Sequence, residues 1–282
     1  MSSERIVALG ALAGLTIFLG LPLGRVRGVD TRVRAALSAT ATGILLFLLW
    51  DILVEGVEPV EAALLRASEQ GGSWGSFALL ASVFAVGTAI GLMGLVYYDR
   101  WIGRQRAKAM LGPGSASTAE FEVRRRGSPL TSAQWLAILI ATGIGLHNFG
   151  EGLAIGQSAA QGAVSLAFVL VIGFGLHNAT EGFGIVAPLS GEAEKPTWGF
   201  LALLGVIGGA PTFVGTLVAQ AFTSDYLSVG FFALAAGSIL YVVLELNRVN
   251  GSFGHKTVVT WALLGGLFLG FATDFVLEAA GG

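Results

Sequence analysis

The chain has 282 residues, of which 54% are hydrophobic and 12% charged, and its mean hydropathy is +0.76. A water-soluble domain carries about twice that share of charge, so the composition excludes a soluble enzyme and a disordered chain; a net charge of −2 excludes a nucleic-acid binder that works through phosphate contacts. The absence of cysteine removes disulfides, Fe–S clusters and thiolate metal sites, while the 42 glycines suit membrane helices packed through small residues.

Charge is gathered at a few places along the chain. The runs left free of it are 6–24, 35–50, 70–98, 127–150, 152–180, 196–224, 226–244 and 257–273. A spanning helix needs about 20 apolar residues, with about 17 as the lower end. Only 35–50 falls short, and Leu53 and Val54 beyond Asp51 complete it. Glu151 alone separates the fourth and fifth runs, and Glu181 closes the fifth. The reading is an all-α integral membrane protein, a single bundle over 1–282. Its eight helices are expected at 6–24, 35–54, 76–98, 132–157, 163–189, 197–221, 226–246 and 257–277.

The first run is taken as a helix and not a cleaved signal, because Arg5 makes a weak positive region and the basic stretch 25–34 follows directly. Residues 55–75, with Glu55, Glu58, Glu61 and Glu69, read as an acidic external loop. Residues 99–131 contain Gly112-Pro113-Gly114-Ser115 and read as a flexible cytoplasmic loop. No separate domain is expected before or after the bundle. With the N-terminus outside, every Lys and Arg except Arg5 and Arg66 falls in a cytoplasmic connection. Both termini are therefore expected outside the cytoplasm, in a plasma-membrane protein. Trp50, Trp101, Trp135 and Trp198 stand near the expected helix ends, as interfacial anchors do.

One internal repeat dominates. Gly143-Ile-Gly-Leu-His-Asn-Phe-Gly-Glu-Gly152 recurs thirty residues later as Gly173-Phe-Gly-Leu-His-Asn-Ala-Thr-Glu-Gly182, with seven of ten positions identical. His147 and Glu151 are i and i+4, about 40° apart on one helix face, and His177 with Glu181 repeats the spacing. A short connection makes the two helices antiparallel, so identical motifs on them are related by a two-fold axis in the membrane plane, a relation that places binding sites at repeat interfaces. Two imidazoles and two carboxylates then converge, a donor set suited to Zn²⁺, Fe²⁺, Mn²⁺ or Co²⁺. Gly145, Gly152, Gly175 and Gly182 flank these donors and allow close backbone approach. A single intramembrane His or Glu often serves only to bond a backbone group; two such pairs in matching register do not fit that explanation.

These motifs resemble those of the ZIP family of divalent-metal transporters, in which a His-Asn-x-x-Glu-Gly sequence in helix 4 has a related copy in helix 5. Here they read His147-Asn148-Phe149-Gly150-Glu151-Gly152 and His177-Asn178-Ala179-Thr180-Glu181-Gly182. The resemblance implies eight helices, external termini and a cytoplasmic loop after helix 3. It also implies a metal site of His147, Glu151, His177 and Glu181, with Asn148 and Asn178 contributing to a neighbouring one, and a homodimer. Three departures stand out. Gly150 and Thr180 replace a frequent Pro, so any kink there must come from glycine flexibility. Ala210-Pro211 replaces a Glu-Pro pair in helix 6, and Leu244-Glu245 replaces a His-Glu pair in helix 7. Without the helix 6 carboxylate, one tight metal is expected, and Ala210→Glu is expected to strengthen a second.

The expected activity is transport of a divalent transition metal into the cytosol by alternating access, with zinc foremost and iron, manganese and cadmium in the same class. Its partners would be the metal and the lipid bilayer, with no nucleic acid and no resident cofactor. Asp51 and Glu55, one turn apart, suit either a cation-gathering entrance or a solvated helix end. Glu245 suits metal release or an ordinary helix terminus, Asp274 a structural place near the outer end of helix 8, and His255 has no assigned role. An intramembrane metal-dependent hydrolase would use the same ligands but needs an open coordination position. A metal sensor would need a signalling domain that 99–131 is too short to supply. No G-x-x-x-x-G-K-[ST] occurs, so the energy would come from a gradient and not from nucleotide hydrolysis.

Overall fold

Inside a bilayer every backbone polar group must be satisfied within the protein, and apolar runs without strand alternation meet that demand as helices. The computed structural model describes residues 2–26, 28–110, 130–160, 164–220 and 224–279, and has eight helices long and apolar enough to cross a membrane. Helix α1 is Ser3–Leu15, prolonged by the 3₁₀ turns Thr16–Leu19 and Leu21–Arg25. It is followed by α2 (Thr31–Glu69), α3 (Trp74–Met110), α4 (Ser132–Ala160) and α5 (Val164–Val186), the last prolonged by a 3₁₀ turn Ala187–Gly191. The chain continues with α6 (Trp198–Ala219), α7 (Asp225–Ser252) and α8 (Lys256–Ala279).

The helices outrun the charge-free runs, most of all α2 and α3. The stretch 55–75, expected as a loop, is helix as far as Glu69, and α3 continues to Met110, into the expected loop 99–131. A carboxylate or guanidinium marks where apolar surroundings end, not where a helix must end, and the Glu, Ala, Leu and Arg of 55–69 are good helix formers. Helix α2 begins where the Asp30 side chain accepts from the Arg32 amide at 2.7 Å. It stops where Gly71 takes φ of 68° and the Gly72 amide folds back 2.8 Å from the Arg66 carbonyl. Trp50 consequently lies inside α2, with ring centroids 5.9 Å from Phe47 and 5.3 Å from Phe271, and not at a helix end. Gly112-Pro113-Gly114-Ser115, Arg124, Arg125, Arg126 and Arg27 lie outside the described residues.

Two bundles share the core. Helices α1, α4, α5 and α6 pack on one another, as do α2, α3, α7 and α8, and the bundles meet mainly through α4 on α7 and α5 on α2 and α8. The helix partners are preserved when α1 exchanges with α6, α2 with α7, α3 with α8 and α4 with α5. That is the pattern of an inverted repeat with α4 and α5 at its centre. The two basic connections at one end of the molecule are tied together: Arg25 donates to the Pro196 carbonyl and stacks on the Trp198 ring at 4.8 Å, and Arg34 donates to the Ser190 carbonyl.

Glycine sets the closeness of these contacts. A Cβ at Gly152 or Gly215 would run into the carbonyl of Thr212 or Phe149 across the α4–α6 contact, and Gly91 and Gly237 play the same part between α3 and α7. We expect Gly215→Leu to destabilise the detergent-solubilised protein by about 1–3 kcal/mol or more through overpacking. Gly265→Leu, with open space around the new side chain, should leave the thermal midpoint unchanged. Equal midpoints for the two variants would contradict this packing.

Candidate metal site

The i, i+4 spacing puts each motif's imidazole and carboxylate on one helix face, and both faces turn inward. His147, Asn148 and Glu151 on α4 are 2%, 0% and 4% exposed; His177, Asn178 and Glu181 on α5 are 5%, 0% and 1% exposed. His147 Nε2 stands 3.2 Å from Glu151 Oε1 and 3.8 Å from Glu181 Oε1, so one imidazole joins the carboxylates of both helices. The pairing is crossed beyond that: Glu151 leans on Asn178 and Glu181 on Asn148, neither in full hydrogen-bond alignment. Each asparagine gives its amide to a neighbouring helix, Asn148 Nδ2 to the Gly208 carbonyl of α6 at 2.9 Å and Asn178 Nδ2 to the Ala13 carbonyl of α1 at 3.1 Å. These two bonds are equivalent under the exchange of α1 with α6.

The oxygens and nitrogens left over are the chemically informative part. Both ring nitrogens of His147, both carboxylate oxygens of Glu151 and of Glu181, and Oδ1 of both asparagines are buried with no aligned hydrogen-bond partner in the protein. Buried polar atoms are normally satisfied, and leaving so many unpaired in one place is costly. All of these oxygens are acceptors, and a divalent cation is the ligand that such a set suits.

The fourth expected donor is elsewhere. His177 Nε2 lies 3.0 Å from Thr273 Oγ1 on α8, and no close contact joins His177 to Glu151 or Glu181. Among the described residues no three His, Asp or Glu side chains are already closed around a metal-sized point. His147, Glu151 and Glu181 come together, and His177 would have to swing to join them. Asp51 and Glu55 lie inside α2 and not at its end. Asp51 interacts through space with His147 and Asp274, and Glu55 with Glu151, Asp51, Glu58 and Asp274. Glu245 is 2.8 Å from Arg248 Nη1 and interacts through space with Asp99 and Tyr241, and it forms no ion pair with the six motif residues.

Helix 6 corrects an expectation. Ala210 lines an apolar surface groove with Phe149, Pro211 and Val214, so Ala210→Glu would place a carboxylate on that face and not beside the metal donors. The buried polar residues of this helix are Thr212 and Thr216, both 0% exposed, and of the two only Thr212 has an unpartnered hydroxyl. Residues two apart on a helix point about 200° from one another, so Ala210 and Thr212 face opposite sides of α6. Nor do α4 and α5 break at Gly150 or Thr180; both helices are continuous through the motifs.

Eight apolar helices wrapped around a repeated His-Asn-Glu cluster define a multi-pass membrane protein with polar donors at its centre. The ZIP zinc transporter family matches residues 102–278, more than half of the chain and both motifs, and the chain belongs to that family. It is a transporter family, and its cargo is divalent metal. Comparison with curated proteins gave no match. Because two carboxylates buried side by side carry a cost that a neutral isostere relieves, Glu181→Gln should leave the metal-free protein at least as stable as the parent while removing most of the thermal shift caused by added Zn²⁺. A variant less stable than the parent without metal would contradict this account.

Proposed function

We propose that the protein carries a divalent transition metal, zinc foremost, into the cytosol through a site between α4 and α5. The observation that carries this reading is the set of unpartnered buried acceptors on His147, Glu151, Glu181, Asn148 and Asn178. Two carboxylates balance the charge of one M²⁺, which makes burial of the ion tolerable. His147 supplies nitrogen, His177 a second one once its ring turns, and the Asn148 and Asn178 oxygens stand beside them. Asp51 and Glu55 gather cations at the entrance, supported by their electrostatic reach to His147 and Glu151. Glu245, committed to Arg248, is left out of the path. The metal is cargo; no resident cofactor and no catalysis are invoked.

The same reading places the protein in the plasma membrane with both termini outside, which assigns the tied connections around Arg25, Arg34 and Lys195 to the cytoplasmic end. Alternating access would come from the bundle of α1, α4, α5 and α6 moving against that of α2, α3, α7 and α8. The metal gradient, the membrane potential or proton exchange supplies the energy.

Uptake by proteoliposomes tests this. Zn²⁺ uptake should be abolished by Glu151→Ala, which leaves the ion under-neutralised, and only slowed by Asp51→Ala, mostly at low ionic strength. Equally small effects of the two substitutions would show that the site is elsewhere. A ligating carboxylate must be ionised and a ligating imidazole neutral, so protons compete with the metal. Affinity should fall between about pH 7.5 and about pH 5, with protons released on binding; the same affinity at both would contradict His/Glu ligation.

A further inference from the structure

His147 and His177 hold equivalent places in the repeat, yet their rings are used differently. His147 Nε2 faces the two carboxylates at 3.2 and 3.8 Å. His177 Nε2 instead meets Thr273 Oγ1 at 3.0 Å, on α8 of the other bundle, with its ring 6.3 Å from that of Phe47. The Thr273 hydroxyl lies 2.8 Å from the carbonyls of both Leu269 and Gly270. Its single hydrogen is directed to them, so toward His177 it is the acceptor and His177 Nε2 the donor. A ring nitrogen carrying a proton has no lone pair for a metal. The other nitrogen, Nδ1, is buried and unpartnered, but it too makes no close contact with Glu151 or Glu181. Ligands of one zinc ion stand about 2.0–2.2 Å from it, which puts their donor atoms about 3 Å from one another. His177 can therefore share an ion with those carboxylates only after its ring leaves Thr273.

We propose that Thr273 is a positioning residue that competes with the metal for His177. Its hydroxyl holds the ring against α8, and loading draws the ring onto the ion, breaking a hydrogen bond that spans the two bundles. Metal capture and loosening of the bundle interface are thereby one event at one side chain. The proposal rests on the α4–α5 metal site set out above, and Thr273 itself touches no metal in it.

The test is the Zn²⁺ dissociation constant of the purified full-length protein, measured by competition with a chelating dye. Removing the competing acceptor should tighten binding: Thr273→Val is expected to lower the dissociation constant about three- to tenfold, the worth of one such bond. Thr273→Ser, which restores the acceptor, should return the parent value. In a His177→Ala background, Thr273→Val should have no effect, because the group competed for is gone. Unchanged or weaker binding by Thr273→Val, in protein with the parent's melting behaviour, overturns the proposal, as does the same tightening in the His177→Ala background. Glu151→Gln separates this from the underlying site. If it leaves the parent's affinity untouched, the α4–α5 site is wrong and the Thr273 proposal falls with it. If it weakens binding while Thr273→Val changes nothing, the site stands and only the role of Thr273 is lost.

Discussion

The contact of His147 with Glu151 and Glu181 is the interaction around which the molecule is arranged. Two carboxylates at the centre of an apolar bundle repel each other and have no water to spread their charge, so something must stand between them. An imidazole from one helix, reaching both, does so only if α4 and α5 are held in close and fixed register. The asparagines provide that register. Each spends its amide on a neighbouring helix, Asn148 on α6 and Asn178 on α1, and keeps its carbonyl oxygen for the centre. Glycines in the α4–α6 and α1–α6 contacts then let whole backbones touch, which is where a bilayer protein, lacking a hydrophobic drive between helices, finds its cohesion.

Inverted symmetry makes the cluster equally related to both ends of the bundle, a property that suits the alternating access proposed above. The departures from symmetry are then the informative places. His177 is turned to Thr273 while His147 is not, and α4 is packed tightly on α6 while α5 leans on the 3₁₀ turns that prolong α1. In such a two-fold frame, the alternating access proposed above would exchange the roles of the two halves.

The spanning helices were legible because the bilayer punishes charge so heavily that charge-free runs mark its interior. The six motif residues were legible because the repeat gave their spacing twice. Other features lay beyond one-dimensional reading. The extension of α2 past Glu55 was hidden because a charged helix and a charged loop have the same composition. Thr212 gave no signal: threonine in an apolar helix commonly bonds its own backbone, as Thr216 does to the Thr212 carbonyl. The meeting of His177 with Thr273, 96 positions apart, depends on how α5 sits on α8, which no local pattern records.

The 39 residues of α2 amount to a rod of about 58 Å, against a hydrocarbon layer of about 30 Å. No ordinary tilt hides such a rod in the lipid, so a good part of it stands in water. Along that part it is not alone. Ala63 packs with Leu80 of α3 and Val229 of α7, joined by Val60, Phe77 and Phe84, in an apolar cluster separate from the main core. Helices α2, α3 and α7 are thus braced against one another by a second apolar cluster, at the end of the bundle opposite Arg25 and Arg34. Three helices locked together by side-chain packing at one end resist bending there more than any of them would alone.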